Sequence, residues 1–493
     1  MSCSESEVKE DDDVESARGE ERRDPLANAG SLMPEKKKKK RKKKTGGKKF
    51  AARSSEDNLE DEVEAGVRWV EESIGAPLTL VKEVEEKASP LKALLQIENK
   101  HLNPENEMRR IFGTRVVQNE AMARQRKSRG GRTHQRSSML VSPKPTWPSA
   151  ARSGLSMRPV ASDSPGQWFT LDHSTQYQAV QHQFLAAVDS LNPDQIVALL
   201  NTYPMHIDSM LQLSDICKMG EDSAMAAELV ERTLYALEAA FHPCFSFASG
   251  SCHLDYRRQE NRALFIALYR HLHFVGSRAC YRTALEICKV LLNLDPAEDP
   301  LAIVLLVDFY ALRARQFQWL VDLNTAWDPI RNLSQLPNFA YSVALAAFQL
   351  SQGKDEEKMS KADLLLQEAL LAFPSVLLPL LDKCSIEPHP GLMGEQYFLD
   401  SRGESPALAT LCSLYVCRTF HCWKEPEILP WLERGVVTVL ERLKTGDVRA
   451  KASKEERATR CVKMNFSFCG QFCENLFKVS GASQEHSPPH YTI

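Results

Sequence analysis

The segment ALEICKVLLNLDP, Ala284–Pro296, is a helical run that stops on an Asp–Pro pair. That is the helix-then-proline close of a tetratricopeptide-type (TPR) repeat. Outward from it the same pattern recurs. Asn261–Val275 and Arg278–Leu294 form one helix pair, and Pro300–Ala314 and Gln316–Trp327 a second. Asn338–Leu350 and Lys361–Phe373 form a third, and Ala407–Phe420 and Pro426–Leu443 a fourth. Upstream, Tyr177, Val180, Phe184, Val188 and Leu191 follow helical spacing. Asn192–Pro193 supplies a cap and a first-turn proline for a helix through Tyr203. Asp208 is placed to cap a helix that ends at Gly220, and another helix runs from about Asp222 to His242, before Pro243. Helix pairs repeating at roughly 35–50 residues mark an α-solenoid. The expected fold class is all-α: an irregular TPR-like α-solenoid over 167–443, with no competing strand pattern. Stacked pairs of this kind leave a concave surface suited to protein segments.

The 493 residues are 43% apolar and 26% charged, with net charge −3. Those averages hide a division. Residues 1–35 carry 11 acidic and 4 basic side chains. A basic run follows: Lys36, Lys37, Lys38, Lys39, Lys40, Arg41, Lys42, Lys43 and Lys44. Residues 53–87 are acidic again, 11 against 4, and residues 108–158 carry 12 Lys/Arg with Glu120 as the one acid. Such blocks repel internally and bury too little apolar area to offset the entropy of ordering. The expected organisation is therefore a long disordered, charged region over 1–100, a basic linker with short motifs over 101–166, the helical repeats over 167–443, and a divergent, disordered tail over 444–493.

The lysine run is a solvated tail at the least. It also fits a nuclear import signal, or phosphate binding to RNA by counterion release. The second basic block has few interleaved aromatics, which favours backbone electrostatics over base readout. A basic helix-loop-helix reading fails because Gly46–Gly47 interrupts directly after the lysines. Within the acidic stretch, Leu59, Val63, Val67, Val70 and Ile74 recur at helical spacing, as in a helix that docks into a partner groove. In HLNPENEMRRIFG, His101–Gly113, Pro104 sits at a helix start with Asn103 as its cap.

Residues 1–10 hold no apolar run of a signal peptide, and no stretch approaches 18 uninterrupted apolar residues, so no membrane span is expected. Thirteen scattered cysteines read as reduced, mostly buried thiols of the cytosol or nucleus. No phosphate loop, dinucleotide fingerprint, zinc-protease or serine-hydrolase motif occurs. Cys412, Cys417 and Cys422 step by five residues and scatter around a helix. His242, Cys244, Cys252 and His253 lack zinc spacing; Cys469 and Cys473 lie one helical turn apart with Cys461 upstream and form the best metal or redox candidate in the chain. The expectation is a non-catalytic adaptor with no cofactor and no metal.

Several segments carry a resemblance. HLNPENEMRRIFG, PKPTWP (Pro143–Pro148) and GLSMRP (Gly154–Pro159) resemble the transcription factor 25 family. So do LDYRRQENRALFIALYRHL (Leu254–Leu272), LLNLDPAEDPL (Leu291–Leu301), RNLSQLPNFAYSV (Arg331–Val343), FPSVLLPLLDKCS (Phe373–Ser385) and WKEP (Trp423–Pro426). The family is also called nuclear localized protein 1; its yeast relatives are subunit 1 of the ribosome quality control complex. The motif positions singled out by this resemblance are His101, Leu102, Asn103, Pro104, Arg109, Arg110, Phe112 and Gly113.

The resemblance implies a protein of the complex that handles stalled nascent chains on the 60S ribosomal subunit. It implies listerin, ubiquitin, the nuclear export mediator factor and the AAA unfoldase valosin-containing protein as partners. The implied role is to bias listerin toward the linkage that directs proteasomal degradation. It also implies transcriptional repression, through contact with transcription factors, and a place in cytosol and nucleus. No catalytic residue is implied. The chain departs from the family before Lys36, where an Arg-rich start is expected, and after about Leu443.

Overall fold

The computed structural model describes residues 93–117, 137–150, 153–162, 166–351, 355–399 and 404–457. All lie in the unit Pro77–Ile493; the other unit, Met1–Ala76, falls outside them. In chain order they form α1 (Pro104–Phe112), β1 (Leu155–Val160), β2 (Gln167–His173), α2 (Thr175–Asp189), α3 (Pro193–Thr202), α4 (Ile207–Met219) and α5 (Ser223–Ala239). There follow β3 (Cys252–Leu254), α6 (Gln259–Ser277), α7 (Tyr281–Leu294), α8 (Val307–Arg313), α9 (Phe317–Arg331) and α10 (Pro337–Ser351). The chain continues through α11 (Glu356–Ala372), α12 (Leu377–Cys384), α13 (Pro390–Met393), α14 (Gln396–Leu399), α15 (Pro406–Trp423), α16 (Ile428–Lys444) and α17 (Val448–Arg457). The predominantly helical class matches the expectation.

Short polar side chains start many of these helices by accepting a free first-turn N–H. Ser174 does this for α2, Asn192 for α3, Asp222 for α5 and Ser405 for α15. For α4 the cap is His206 rather than Asp208; Asp208 lies inside the first turn and accepts from the Tyr177 hydroxyl at 3.3 Å. Leu191, placed by spacing on the apolar face of α2, instead sits in the turn after it, 90% exposed with φ 54°.

Three helix hairpins share one turn. The N–H of Asp222 donates to the Cys217 carbonyl, that of Cys280 to Val275, and that of Gln316 to Ala311. In each, the residue just before the donor is left-handed: Glu221, Ala279 and Arg315, at φ 62°, 60° and 55°. This is the six-to-one closure of a helix C-terminus, made without glycine. The donor residue is then the N-cap of the next helix. The recurring helix pairs thus have a common local cause.

Stacking order departs from a simple solenoid at α15. It packs on α12 but also reaches back to α10 and α8, while α16 and α17 both lie on α11. In an open solenoid each unit touches only its neighbours. Here the C-terminal helices fold back over earlier ones, so nearest-neighbour TPR-like stacking does not describe them. Their junction is aromatic: Trp423 and Trp431 stack at 6.3 Å and Phe348 on Trp431 at 4.3 Å. The buried polar tips are satisfied, Trp423 Nε1 by the Tyr415 hydroxyl and Trp431 Nε1 by Asp363.

Three expectations need correction. First, three strands exist: β1 and β2 pair antiparallel, and β2 and β3 parallel. β1 buries only Met157 and contains Pro159, and β3 spans three residues, so neither shows alternation. Second, the packed region starts before residue 167. Leu95, Ile97, Leu102, Leu140, Val141 and Trp147 are all buried. Within 137–150, the carboxylate of Glu238 accepts from Ser138 and Met139, and that of Glu228 from Lys144 and Trp147. Acids of α5 thus compensate the donors of a segment poor in apolar groups. Third, the packed region continues past Leu443. α17 lies on α11, with Arg449 on Glu368 at 3.0 Å and buried Arg457 stacked 4.0 Å from the Tyr397 ring. A short 3-10 turn, Pro374–Val376, leads from α11 into α12.

Candidate functional site

The basic run Lys36–Lys44 and the helical spacing Leu59, Val63, Val67, Val70 and Ile74 lie outside the described residues, as do Cys461, Cys469 and Cys473. The family motif from His101 to Gly113 is described, and the structure divides it into an anchor and a display surface.

The anchor begins upstream. The Leu94 carbonyl accepts from Trp319 Nε1 at 2.8 Å and the Leu95 carbonyl from Asn293 Nδ2 at 2.8 Å. The Glu98 N–H donates to fully buried Glu286 at 3.0 Å, and Arg282 bridges both carboxylates, at 2.9 and 3.0 Å. Lys289 completes the cluster at 3.0 Å from Glu286, with its ammonium 5.2 Å from the Trp319 ring. Hydrogen bonding from Lys100, together with nearby Arg282, holds the Glu98 carboxyl below its ordinary range. His101 is half-buried, and that burial lowers its basicity.

Next in the chain, Leu102 is fully buried, Asn103 Oδ1 accepts the Glu105 N–H at 2.9 Å, and Pro104 occupies the first helical position. This is the start that the sequence predicts for α1. Glu107, buried, then accepts the N–H groups of Arg282 and Thr283 at 3.1 and 2.8 Å. Those are free donors at the first turn of α7, where the helix dipole favours a carboxylate. One side chain of α1 therefore caps α7 from outside.

The display surface is the other end. Arg109 pairs with Glu105 one turn back at 2.9 Å. The Arg110 and Arg115 side chains are exposed and make no ion pair or hydrogen bond with another described residue. Ile111, Phe112 and Val116 are 49%, 60% and 58% exposed. Gly113, at φ 85°, ends α1 in a conformation that favours glycine, and a further helical turn follows over 114–117. The motif residues thus split: Leu102, Asn103 and Pro104 fix the helix, and Arg109, Arg110 and Phe112 face outward. Sequence reasoning missed the anchor partners Leu95, Ile97, Glu98 and Glu107. The apolar pair Leu95 and Ile97 was the available signal, diluted by the charged stretch around it.

A second candidate is a narrow cleft between α8, α10 and α15, lined mostly by buried side chains. Asp308 at its base is buried and accepts from Asn338 at 2.9 Å and Ser342 at 2.7 Å; burial pushes its carboxyl up. Arg418 donates to the Leu305 carbonyl across it. Ligand pockets start near ~300 Å³, and this cleft has enclosed room for about one water, so it serves as a joint between helices. Of the cysteines weighed for metal, Cys252, Cys412 and Cys422 are buried, Cys417 is half-buried and Cys244 exposed. No cluster of His, Cys, Asp and Glu among the described residues could hold a metal ion. No single helix among them is long and apolar enough to cross a membrane.

Comparison with known proteins places this architecture. No solved structure matches the chain. A human protein named ribosome quality control complex subunit TCF25 is 45% identical over 418 residues, covering 82% of this chain and 60% of its own length. A Schizosaccharomyces pombe protein named ribosome quality control complex subunit 1 is 33% identical, over 77% of this chain and 55% of its own length. An Ampulloclitocybe clavipes protein named probable transcription factor claV is 32% identical, over 68% of this chain and 47% of its own length. The chain thus spans about half to three-fifths of the relatives it matches. A family model described as transcriptional repressor TCF25 matches residues 169–485, so the likeness runs on past Leu443, where a departure was expected. On that match, the chain belongs to the TCF25 family.

Proposed function

We propose that this chain is a non-catalytic adaptor of ribosome quality control. Its similarity to two relatives named as subunits of that complex is the observation that carries the reading. In this reading the Lys36–Lys44 run contacts ribosomal RNA phosphates on the 60S subunit, a contact driven by counterion release. The helical body holds listerin and ubiquitin so that a degradation-type linkage forms on the stalled chain. The nuclear export mediator factor and the unfoldase valosin-containing protein act on the same particle. The protein works in the cytosol, and the basic run also admits it to the nucleus.

The test is a reconstituted reaction of listerin on 60S subunits carrying a stalled nascent chain. Adding the purified chain raises the share of the degradation-type linkage; an unchanged linkage distribution contradicts the reading.

The alternative is a nuclear transcriptional repressor, favoured by the description of the matching family model. Tethering the chain at a reporter promoter represses transcription under this reading and leaves it unchanged under the first.

A further inference from the structure

We propose that the outward end of α1 is a docking surface for an acidic, amphipathic helix of a partner protein. The surface is Arg109, Arg110, Ile111, Phe112, Arg115 and Val116.

Three observations lead there. The helix is held rigidly: Leu102, Pro104 and Glu107 are buried against the α7 end of the fold. A preorganised surface loses little entropy when a partner binds. Next, three large apolar side chains stand exposed within six residues, each close to or above half its area. Clustered apolar exposure of this kind marks an interaction site rather than ordinary surface. Finally, residues 108–117 contain three arginines and no acid. The two acids of α1 are already engaged, Glu105 with Arg109 and Glu107 with the α7 backbone. The field at this surface is positive, so the occupant is anionic.

The apolar chemistry chooses between anionic partners. Nucleic acid offers phosphates to the arginines and bases for Phe112 to stack on. Branched aliphatic groups such as Ile111 and Val116 gain little from either. An amphipathic helix with an acidic flank satisfies both sets: its apolar stripe covers Ile111, Phe112 and Val116, and its carboxylates pair with Arg110 and Arg115.

The experiment measures binding of fluorescent probes to the full chain by anisotropy. One probe is a synthetic acidic helix with leucines on one face and glutamates on the other. The second has the same composition in scrambled order, and the third is oligouridylate RNA. The ordered peptide is expected to bind, and the scrambled peptide at least about tenfold more weakly. Phe112→Ala is expected to weaken the ordered peptide about tenfold, a typical loss for a central aromatic contact. Arg110→Glu is expected to weaken it and to flatten its salt dependence. Both residues are exposed, and unchanged helicity and melting confirm that the variants fold. Equal binding of the two peptides, indifference to Phe112→Ala, or preference for the RNA with loss of peptide binding overturns the proposal.

Discussion

Glu107 shows how one side chain positions a segment. Its carboxylate meets two backbone donors at the start of α7, and charged acceptors in such bonds contribute about 2 kcal/mol. Glu107→Ala leaves those donors buried and unpaired, so the account predicts a loss of about 2 kcal/mol by chemical denaturation. It also predicts faster amide exchange through α1. Unchanged exchange there shows that Leu102 and Pro104 suffice. A second residue-scale effect concerns acid. Burial lowers His206 to about 4 and His271 and His273 to about 3. His271 finds no partner for either ring nitrogen. The folded chain keeps these rings neutral, while the unfolded chain protonates them below an ordinary histidine value of about 6.5. Their contribution is therefore present above that value and lost as pH falls from about 6.5 toward 4. The melting temperature should drop between about pH 7 and about pH 5, and His271→Leu should shallow the slope. An identical slope in that variant removes His271 from the explanation. Of these groups, only the Asn103–Pro104 start was legible beforehand, because a cap and a first-turn proline are local signals. Glu107 and the histidines take their roles from residues far away in the chain.

At the scale of elements, the shared hairpin turn carries a strained residue. An L-residue in the left-handed region costs about 1–2 kcal/mol, and Ala279 sits there at φ 60°. Glycine relieves that strain but loses more chain entropy on folding, about 0.4–1 kcal/mol. Ala279→Gly should therefore stabilise by about 0.5–1 kcal/mol, read as a rise in melting temperature; a fall means that the methyl group has packing worth more than the strain. The absence of glycine also explains why these turns were hidden while their helices were not. Apolar residues at 3.6-residue spacing announce α5, α7 and α10, and a first-turn proline marks α3. A left-handed Glu221 or Arg315 announces nothing. A tighter contact tests the later helices. A Cβ on Gly435 of α16 would lie 2.6 Å from Leu366 of α11. Gly435→Ala should overpack that seam and destabilise by about 1–3 kcal/mol on denaturation, and a neutral result places slack between α11 and α16.

At the scale of the whole molecule, the described residues combine a helical body that folds back at α15 with a short motif pinned across α7. The helical class was readable from periodicity over many segments. The return of α15 to α8 was not, because it depends on Arg418 meeting a carbonyl 113 residues away in sequence. The motif's division into anchor and display was equally hidden, since both halves look polar in one dimension. An adaptor needs a rigid body with separate contacts, and this arrangement supplies one. The claim that these contacts serve the ribosome is tested most directly by gradient sedimentation of the tagged chain from cells with induced stalling, at low and high salt. The account predicts co-migration with large subunits and listerin at low salt, weakened by high salt and by neutralising Lys36–Lys44. Free sedimentation at both salts, beside a full-length relative that does co-migrate, would contradict it.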